Sequence, residues 1–250
     1  MPPIRRPLRV LHTADVHLHS DGYGTVAEHA AHLERGRRVF QRIVDRVLED
    51  RVDLLLIAGD LFDHNRVPDE TLAFVRAQLD RLAQPVVILP GNHDVLNANA
   101  IYDRRDFLAG ARHVHVIRGL DGETVEFPEL EAIVWGRGME EHEPAFRPLA
   151  NIPGRDDRRW CLAMGHGFFY AERQRPERSS PIFADEVRDT GWDYIALGHH
   201  HHRTDVSQGG VTAHYAGAPL FEGEGGPPDG SVLRVDFSEE GGVRVASRAL

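Results

Sequence analysis

The strongest constraint on the fold is the order of apolar segments in the first 90 residues. Residues 8–13 (LRVLHT), 53–58 (DLLLIA) and 85–90 (PVVILP) are short and apolar, as buried β-strands are. Two amphipathic segments of helical length separate them. This alternation predicts an α/β protein in which a parallel sheet is covered by helices.

Both helices have recognisable starts and apolar faces. Thr25 and Glu28 form a capping-box sequence, which predicts a helix from that point to about Asp50. Pro68 stands where a second helix can begin. The apolar faces consist of Val39, Ile43, Val47 and Leu48 in the first helix and Leu72, Val75, Leu79 and Leu82 in the second.

The second half of the chain is richer in predicted strands. They cover 113–117, 123–127, 130–135, 160–164, 193–197, 211–216, 231–237 and 242–248. A further helix is predicted over 181–189, with Ser180 as its N-cap. Segments 137–158 and 222–230 have the composition of loops, and 170–180 is polar. No shift in composition marks a boundary, so we expect residues 1–250 to form one domain.

Composition restricts the class of protein. No apolar run approaches the roughly 20 residues of a membrane-spanning helix, so we expect no membrane association. Cys161 is the only cysteine, which excludes an internal disulfide and favours a cytoplasmic location. The net charge of −10 argues against a broad basic surface for nucleic acid. Bound cations would nevertheless reverse the local charge of a metal site.

Polar clusters follow five of the predicted strands, at the positions where α/β folds place ligands. In the D-V-H sequence at 15–17, an extended backbone would turn Asp15 and His17 to the same side. In G-D-L-F-D at 59–63, Asp60 lies at the strand mouth, where its carboxylate could bridge two metal ions. Each also has a structural interpretation, the first as a solvated turn and the second as a helix N-cap.

The other three clusters contain imidazole or amide side chains after apolar strands: G-N-H-D at 91–94, G-H-G at 165–167 and G-H-H-H-H at 198–202. The ligand candidates among them are Asn92, His166, His199 and His201. His93 could instead donate a proton. Taken singly, each cluster has an alternative: an asparagine-rich turn, a surface histidine, or the chance metal affinity of a histidine run.

Together the clusters supply two carboxylates, four imidazoles and one amide oxygen, a set that suits manganese, iron or zinc. All lie at strand ends and can converge on one edge of a sheet. Two metal ions about 3.5–4 Å apart would clamp the attacking and leaving oxygens of a phosphate ester and generate hydroxide near neutral pH. The sequence therefore predicts a dinuclear metal-dependent phosphoesterase.

The ordered set D-x-H, G-D-x-x-D, G-N-H-D, G-H and G-H-x-H spans residues 15–201 and resembles the calcineurin-like metallophosphoesterase superfamily. The resemblance implies a four-layer α/β sandwich, with two mixed β-sheets facing each other and helices outside. It also implies hydrolysis of phosphate esters by attack of a metal-bridging hydroxide.

Carried over motif by motif, the resemblance implies a role for each site residue. The first metal would take Asp15, His17, Asp60 and His201, and the second Asp60, Asn92, His166 and His199. His93 would not be a ligand but would protonate the leaving oxygen or stabilise its charge, and Asp63 would orient His93. Manganese is the first metal expected, with iron or zinc as alternatives. The remaining nearby histidines match no ligand position: His19, His64, His200 and His202.

Within the superfamily, the stretches LHTADVHL, IAGDLFD, ALGHHHH and AHYAGAPLFEG are similar to the SbcD-like DNA-repair nuclease branch. That similarity implies a phosphodiester substrate, with DNA as the first candidate, and allows a homodimer. The branch usually carries further domains, including a site for an ATPase partner, and 250 residues leave no room for them. No ATPase partner site is evident in the sequence.

Two other functions stay open. One is a small-molecule phosphodiesterase or phosphatase acting on nucleotides or other phosphate esters, and the other is a metal-binding scaffold without turnover. An arginine-lined channel near 104–105, 173–178 or 203 with stacking aromatics would favour a nucleic-acid strand. The aromatic candidates are Phe168, Phe169 and Tyr170. A closed pocket would favour a small ligand.

Overall fold

The computed structural model describes residues 5–21, 24–104, 107–173, 177–220, 230–238, 240 and 242–250. In these ranges the strands are β1 (Leu8–Thr13), β2 (Leu54–Ala58), β3 (Val86–Leu89), β4 (Val114–Val116), β5 (Glu123–Phe127), β6 (Ala132–Gly136), β7 (Trp160–His166), β8 (Phe168–Tyr170), β9 (Pro181–Phe183), β10 (Tyr194–Gly198), β11 (Thr204–Asp205), β12 (Thr212–Tyr215), β13 (Ser231–Phe237) and β14 (Val243–Ala249). The α-helices are α1 (Val26–Glu49), α2 (Asp69–Leu79) and α3 (Ala184–Thr190). Short 3-10 helices cover Ile101–Asp103 and Pro128–Leu130.

The strands form two mixed sheets, as the predicted fold class requires. In the first sheet the order is β14-β13-β1-β2-β3-β4; β1 to β4 are parallel, whereas β13 and β14 are antiparallel additions. In the second the order is β11-β12-β10-β7-β6-β5, with parallel strands in the middle and antiparallel strands at both edges. Strands β8 and β9 pair separately.

The apolar side chains lie in three layers between these elements. Val10, Leu56 and Leu162 belong to the core between the two sheets. The first sheet is covered by α1 and α2, whose buried side chains include Phe40. The outer face of the second sheet is covered by α3 and by the irregular segment 137–158, which contributes Leu149. The predicted sandwich with helices outside two facing sheets is therefore confirmed.

The predicted helix over 181–189 is partly wrong. Residues 181–183 form β9, because they pair with β8, and α3 begins only at Ala184. Ser180 is not its N-cap; that position is held by Phe183, whose backbone N–H donates to the Glu186 carboxylate at 2.9 Å. Pairing between strands thus overrides the local helical pattern.

Other boundaries differ for local reasons. The predicted strand 130–135 begins at Ala132, because the 3-10 helix before it ends at Glu131 in a left-handed conformation. Strands β8 and β11 were not predicted. The capping box at Thr25 and Glu28 is confirmed. The predicted loop 222–230 lies outside the described residues except for Gly230.

The topology brings several strand ends to one edge of the sandwich. Strands β1, β2 and β3 are parallel neighbours in the first sheet, and β7 and β10 are parallel neighbours in the second. Strand β2 packs against both β7 and β10 across the core. The turns that follow these five strands therefore meet. None of the described helices has the length and apolarity needed to span a membrane.

Candidate metal centre

The turns that carry the predicted ligands have unusual backbone conformations. Asp15 (φ 53°), His17 (φ 49°), Asp60 (φ 52°) and His199 (φ 98°) all adopt positive φ, which non-glycine residues rarely do. Hydrogen bonds between turns hold them there: the Asp15 N–H donates to Gly59 O and the His17 N–H to Asp60 O, both at 3.0 Å. Such strain is concentrated at functional sites.

Asp15 and His17 point to the same side, as predicted, but the extended backbone from which this was predicted is wrong. Both residues are left-handed, and their side chains nevertheless turn to the same place. Ligand atoms of Asp15, His17 and His201 lie within 4.8 Å of one another. The structure therefore brings together three of the four side chains expected at the first metal.

His17 is oriented for metal binding by its other nitrogen. Its Nδ1 lies 3.1 Å from a carboxylate oxygen of Asp63, and its buried Nε2 has no hydrogen-bond partner among the described residues. That Nε2 is 3.8 Å from Oδ2 of Asp60. A buried imidazole nitrogen without a partner is costly unless it holds an ion.

The residues expected at the second metal also converge. The Asn92 amide oxygen is 3.0 Å from His166 Nε2 and 2.8 Å from His199 Nδ1. His166 Nδ1 donates to the carbonyl oxygen of Ala58 at 2.9 Å, which leaves Nε2 for a ligand role. Oδ2 of Asp60 is 3.2 Å from that Nε2.

Asp60 stands between the two groups. Its Oδ1 accepts a hydrogen bond from the His93 backbone N–H at 2.9 Å, while Oδ2 faces both His17 and His166. Ligand atoms of Asp15, Asp60 and His166 also lie within 4.8 Å of one another. A carboxylate in this position can contribute to two cation sites at once.

His93 lies beside the first group. Its ring is 4.6 Å from the His17 ring in an edge-to-face arrangement, and its Nδ1 donates to the backbone carbonyl of Asp63 at 2.7 Å. The Asp63 carboxylate is 3.7 Å from that nitrogen, farther than it is from His17. The Asp63 backbone thus orients His93, whereas its side chain orients His17.

Charge compensation inside the site shifts several pKa values. Burial and the neighbouring Asp60 raise the pKa of Asp15 to about 6. Burial alone would lower the pKa of His166, but the Asp60 carboxylate outweighs it and raises that pKa to about 9. Burial and the charge on His166 lower the pKa of His199 to about 3. Because an imidazole ligates a divalent cation only in its neutral form, binding at His166 would have to release its proton, whereas His199 is already neutral.

Two residues that contact the site were not singled out by the sequence analysis. Asp94 is fully buried and accepts hydrogen bonds from the Gly91 and Phe62 backbone N–H groups and from the Tyr102 hydroxyl, which ties the G-N-H-D turn to the G-D-x-x-D turn. His142 lies in the irregular segment 137–158, with its ring 5.2 Å from that of His199. Asp94 belongs to a motif already singled out, whereas no local pattern marks His142.

The four nearby histidines that match no ligand position of the family lie around the centre. His64 binds Asp21 at 2.9 Å, and His19 binds the Thr71 hydroxyl at 3.2 Å. The His200 ring is 5.5 Å from the His202 ring and 6.2 Å from the Phe168 ring. These four residues are absent from the candidate metal clusters found among the described residues.

Residues 8–203 match the family model for calcineurin-like phosphoesterases, and they include every predicted ligand. The chain belongs to the calcineurin-like phosphoesterase family. Membership implies a hydrolase of phosphoester bonds that binds divalent metal ions, and the clustered ligands fit that chemistry.

Several curated relatives of this phosphoesterase are known from sequence. The uncharacterized metallophosphoesterase YhaO of Bacillus subtilis is 26% identical over 230 residues, which are 80% of this chain and 50% of the relative. A component of the nuclease SbcCD of Staphylococcus saprophyticus is 24% identical over 237 residues, 85% of this chain and 61% of the relative. The DNA double-strand break repair protein Mre11 of Aeropyrum pernix is 40% identical over 94 residues, 34% of this chain and 21% of the relative. The chain thus spans about half the length of the first of these relatives.

Solved structures support the fold of the phosphoesterase. A dimetal phosphatase from Danio rerio aligns with a TM-score of 0.59 at 14% identity, covering 97% of this chain and 96% of that one. The protein TT1561 of Thermus thermophilus aligns with a TM-score of 0.57 at 9% identity, covering 96% and 99%. At these identities the likeness concerns the fold alone.

Proposed function

We propose that this protein is a dinuclear metal-dependent phosphodiesterase that acts on DNA in a nuclease-like way. The observation that carries the proposal is the position of Asp60, whose Oδ2 faces ligand candidates of both groups. Two divalent ions, when bound there, would stabilise the charge of the transferring phosphate and activate water. Manganese is the first candidate, with iron or zinc as alternatives.

The protein's own proton donor is His93. Because a carbonyl oxygen can only accept, the bond to Asp63 O fixes the proton on Nδ1 and turns Nε2 away from that carbonyl. The His93 side chain is 41% exposed, so a substrate can reach it. In its doubly protonated form, His93 can transfer the Nε2 proton to the leaving oxygen.

A second observation supports a nucleic-acid substrate. Phe168 follows the G-H-G cluster directly, and the Arg178 guanidinium carbon lies 5.1 Å from the centre of its ring. His200 approaches the same ring. Aromatic rings with a cation beside them are the elements on which single-stranded bases stack. The names of two relatives, a nuclease component and a DNA repair protein, point the same way.

Not all of the arginines considered for a channel are free. Arg104 binds Asp69 and the Val67 carbonyl, and Arg173 binds Asp185. Arg105 and Arg175 lie outside the described residues. Together with the net charge of −10, this favours the second candidate, a phosphodiesterase or phosphatase for nucleotides and other small phosphate esters.

The decisive experiment compares two kinds of phosphodiester. Purified protein with manganese would be given bis(p-nitrophenyl) phosphate and, separately, end-labelled single- and double-stranded DNA. His93→Ala should retain its metal and lose hydrolysis of all of them, which would exclude a contaminating nuclease. Hydrolysis that persists in His93→Ala would remove His93 from the mechanism, and no hydrolysis by the unaltered protein would favour a metal-binding scaffold.

Phe168→Ala separates the two substrate classes. If bases stack on Phe168, the variant should bind single-stranded DNA about 5- to 150-fold more weakly, which corresponds to about 1–3 kcal/mol per base. Its hydrolysis of bis(p-nitrophenyl) phosphate should remain unchanged. Equal losses on both substrates in Phe168→Ala would contradict a strand-binding role. If the unaltered protein hydrolyses bis(p-nitrophenyl) phosphate rapidly but leaves DNA uncleaved, small phosphate esters would be favoured as substrates.

A further inference from the structure

Backbone hydrogen bonds on both sides of His142 fix the segment that carries it. On one side, the Leu96 N–H, in the segment that follows His93, donates to Met139 O at 2.7 Å. On the other, the Ser180 N–H donates to Glu143 O at 3.0 Å. Met139 is buried, so the segment is packed as well as hydrogen-bonded. His142 is therefore held in place rather than displayed on a free loop.

The His142 imidazole sits against the second group of ligands. Its ring is 5.2 Å from the His199 ring, whereas His93 contacts His17 of the first group. Nδ1 of His142 is 2.8 Å from the Ser180 hydroxyl oxygen. The other ring nitrogen, Nε2, is not used in that contact. Each ligand group thus has one histidine beside it that is not a predicted ligand.

Ser180 holds His142 at the expense of a strained backbone. It is fully buried and has φ 52°, which is unfavourable for any residue other than glycine. Its carbonyl oxygen accepts from the Phe168 N–H at 3.0 Å, so it joins the 137–158 segment to β8. A glycine would relieve the strain but would lose the hydroxyl that contacts His142. A serine in a backbone conformation that favours glycine suggests that its hydroxyl contact with His142 has a function.

The two histidines beside the metal centre are set up for different chemistry. Asp63 O can only accept, so it forces the proton of His93 onto Nδ1. The Ser180 hydroxyl can either donate to Nδ1 of His142 or accept from it, and in the tautomer in which it donates, the imidazole proton lies on Nε2. His142 can therefore present an N–H donor to the centre without changing its protonation state.

We propose that His142 is a substrate-binding residue that donates a hydrogen bond from Nε2 to a non-bridging oxygen of the phosphate, with Ser180 as its positioning residue. The inference rests on the proposed phosphodiesterase function. A fixed donor directed at the transferring phosphate stabilises the charge that develops on its oxygens. Protonation of the leaving oxygen stays with His93.

The test uses the whole protein, manganese and bis(p-nitrophenyl) phosphate. His142→Ala should lower kcat/KM about 100-fold, the scale of losing one preorganised donor. His142→Gln, which keeps an N–H donor at a similar reach, should recover part of the loss. Glu141→Gln, a charge change at an exposed neighbour on the same segment, should leave kcat/KM unchanged. Manganese content should be the same in all three variants.

The choice of leaving group separates His142 from a proton donor. The loss caused by His142→Ala should be equal for p-nitrophenyl and phenyl diesters, because the non-bridging oxygens are the same in both. His93→Ala should instead be more damaging for the phenyl diester, whose leaving oxygen needs the proton more. A loss in His142→Ala that grows with the basicity of the leaving group would overturn the assignment.

Variants of Ser180 test the positioning role. Ser180→Ala and Ser180→Gly both remove the hydroxyl, but only the glycine variant relieves the backbone strain. Both should lower kcat/KM about 10- to 100-fold without loss of metal, and neither should add to the effect of His142→Ala. Full activity of Ser180→Gly, or metal loss in His142→Ala, would refute the proposal. Inactivity of the unaltered protein on every diester would instead refute the proposed function.

Discussion

At the scale of single residues, the orientation of a histidine ligand is set by the partner of the ring nitrogen that does not face the metal site. His17 and His166 each engage Nδ1 with an oxygen, of Asp63 and of Ala58, and thereby point Nε2 at Asp60. Such partners set the orientation and basicity of an imidazole ligand. A histidine that matches the motif but lacks this partner would bind metal less well.

Asp63 provides a test of this assignment. Because its carboxylate lies closer to His17 than to His93, Asp63→Asn should weaken manganese binding about 10- to 100-fold. Turnover at saturating manganese should stay near that of the unaltered protein. Manganese titrations of activity would measure both quantities.

A matched control for that variant is Asp21→Asn, since Asp21 binds His64, a histidine with no predicted ligand role. This control should leave the manganese dependence unchanged. If Asp63→Asn lowers kcat at saturating manganese and leaves metal affinity intact, the carboxylate acts through His93, as the family resemblance implies.

At the scale of elements, the centre depends on how closely β2 approaches β7. Gly59, which follows β2, has φ 96°, and a Cβ at this position would overlap the His166 imidazole. Glycine is therefore required both for the backbone conformation and for the space. The same approach allows His166 Nδ1 to reach Ala58 O.

We expect Gly59→Ala to abolish metal binding and to lower the free energy of unfolding by more than the roughly 1–3 kcal/mol of a strained backbone. Gly110→Ala is the matched control, because Gly110 also has positive φ (78°) but has no atom within 4 Å of the added Cβ. Chemical denaturation and metal analysis would compare the two. Equal destabilisation with full metal content in both would contradict the close-approach argument.

At the scale of the whole molecule, the ligands come from both sheets. Asp15, Asp60 and Asn92 follow strands of the first sheet, whereas His166 and His199 lie at the ends of strands of the second. Metal ions bound among them would link the two layers of the sandwich. Binding that exists only in the folded state stabilises that state.

Manganese should therefore raise the melting temperature of the chelator-treated protein. At a free concentration about 100 times the Kd, one site adds about 2.7 kcal/mol to the free energy of unfolding. Asp60→Asn should largely lose this metal-induced shift, because Asp60 faces both ligand groups. Differential scanning calorimetry with and without manganese would measure it, and an undiminished shift in the variant would exclude Asp60 as a shared ligand.

The described core between the sheets includes a buried polar pair away from the metal centre. His12 on β1 and Tyr194 on β10 are both fully buried, with Nδ1 2.9 Å from the hydroxyl. Burial lowers the pKa of His12 to about 3. In the unfolded chain His12 binds a proton with a pKa near 6.5, whereas in the folded protein it stays neutral until about pH 3. The free energy of unfolding therefore falls as the pH drops below 6.5.

We expect this histidine to cost about 2 kcal/mol of stability between about pH 7 and pH 5. The double variant His12→Leu/Tyr194→Phe should lack that part of the acid sensitivity. His12→Leu alone should be less stable near pH 7 by about 1–3 kcal/mol, because it leaves the tyrosine hydroxyl unpaired. Urea denaturation at about pH 7 and pH 5 would measure the free energies of unfolding of the unaltered protein and both variants. The same pH dependence in all three would contradict the assignment of this acid sensitivity to His12.

Local sequence patterns predict a helix-covered parallel sheet and the neighbourhood of the site, whereas the second, facing sheet is implied by the family resemblance. Apolar strands alternating with amphipathic helices require a covered parallel sheet, and polar clusters at strand ends must meet at one edge. These patterns depend on hydrophobic period and on position along the chain, so they can be recognised without knowledge of the tertiary contacts. The capping box at Thr25 and the strands β1, β2 and β3 follow from them.

Features that depend on contacts between separate segments follow from the folded chain and not from any local pattern. The left-handed turns at Asp15 and His17 exist because hydrogen bonds from a neighbouring turn hold them, and β9 replaces a predicted helical turn because β8 pairs with it. His142 reaches the centre because the strained Ser180 anchors it from 38 residues away in the chain. No periodicity encodes such pairings, since their energy comes from partners that only the folded chain brings together.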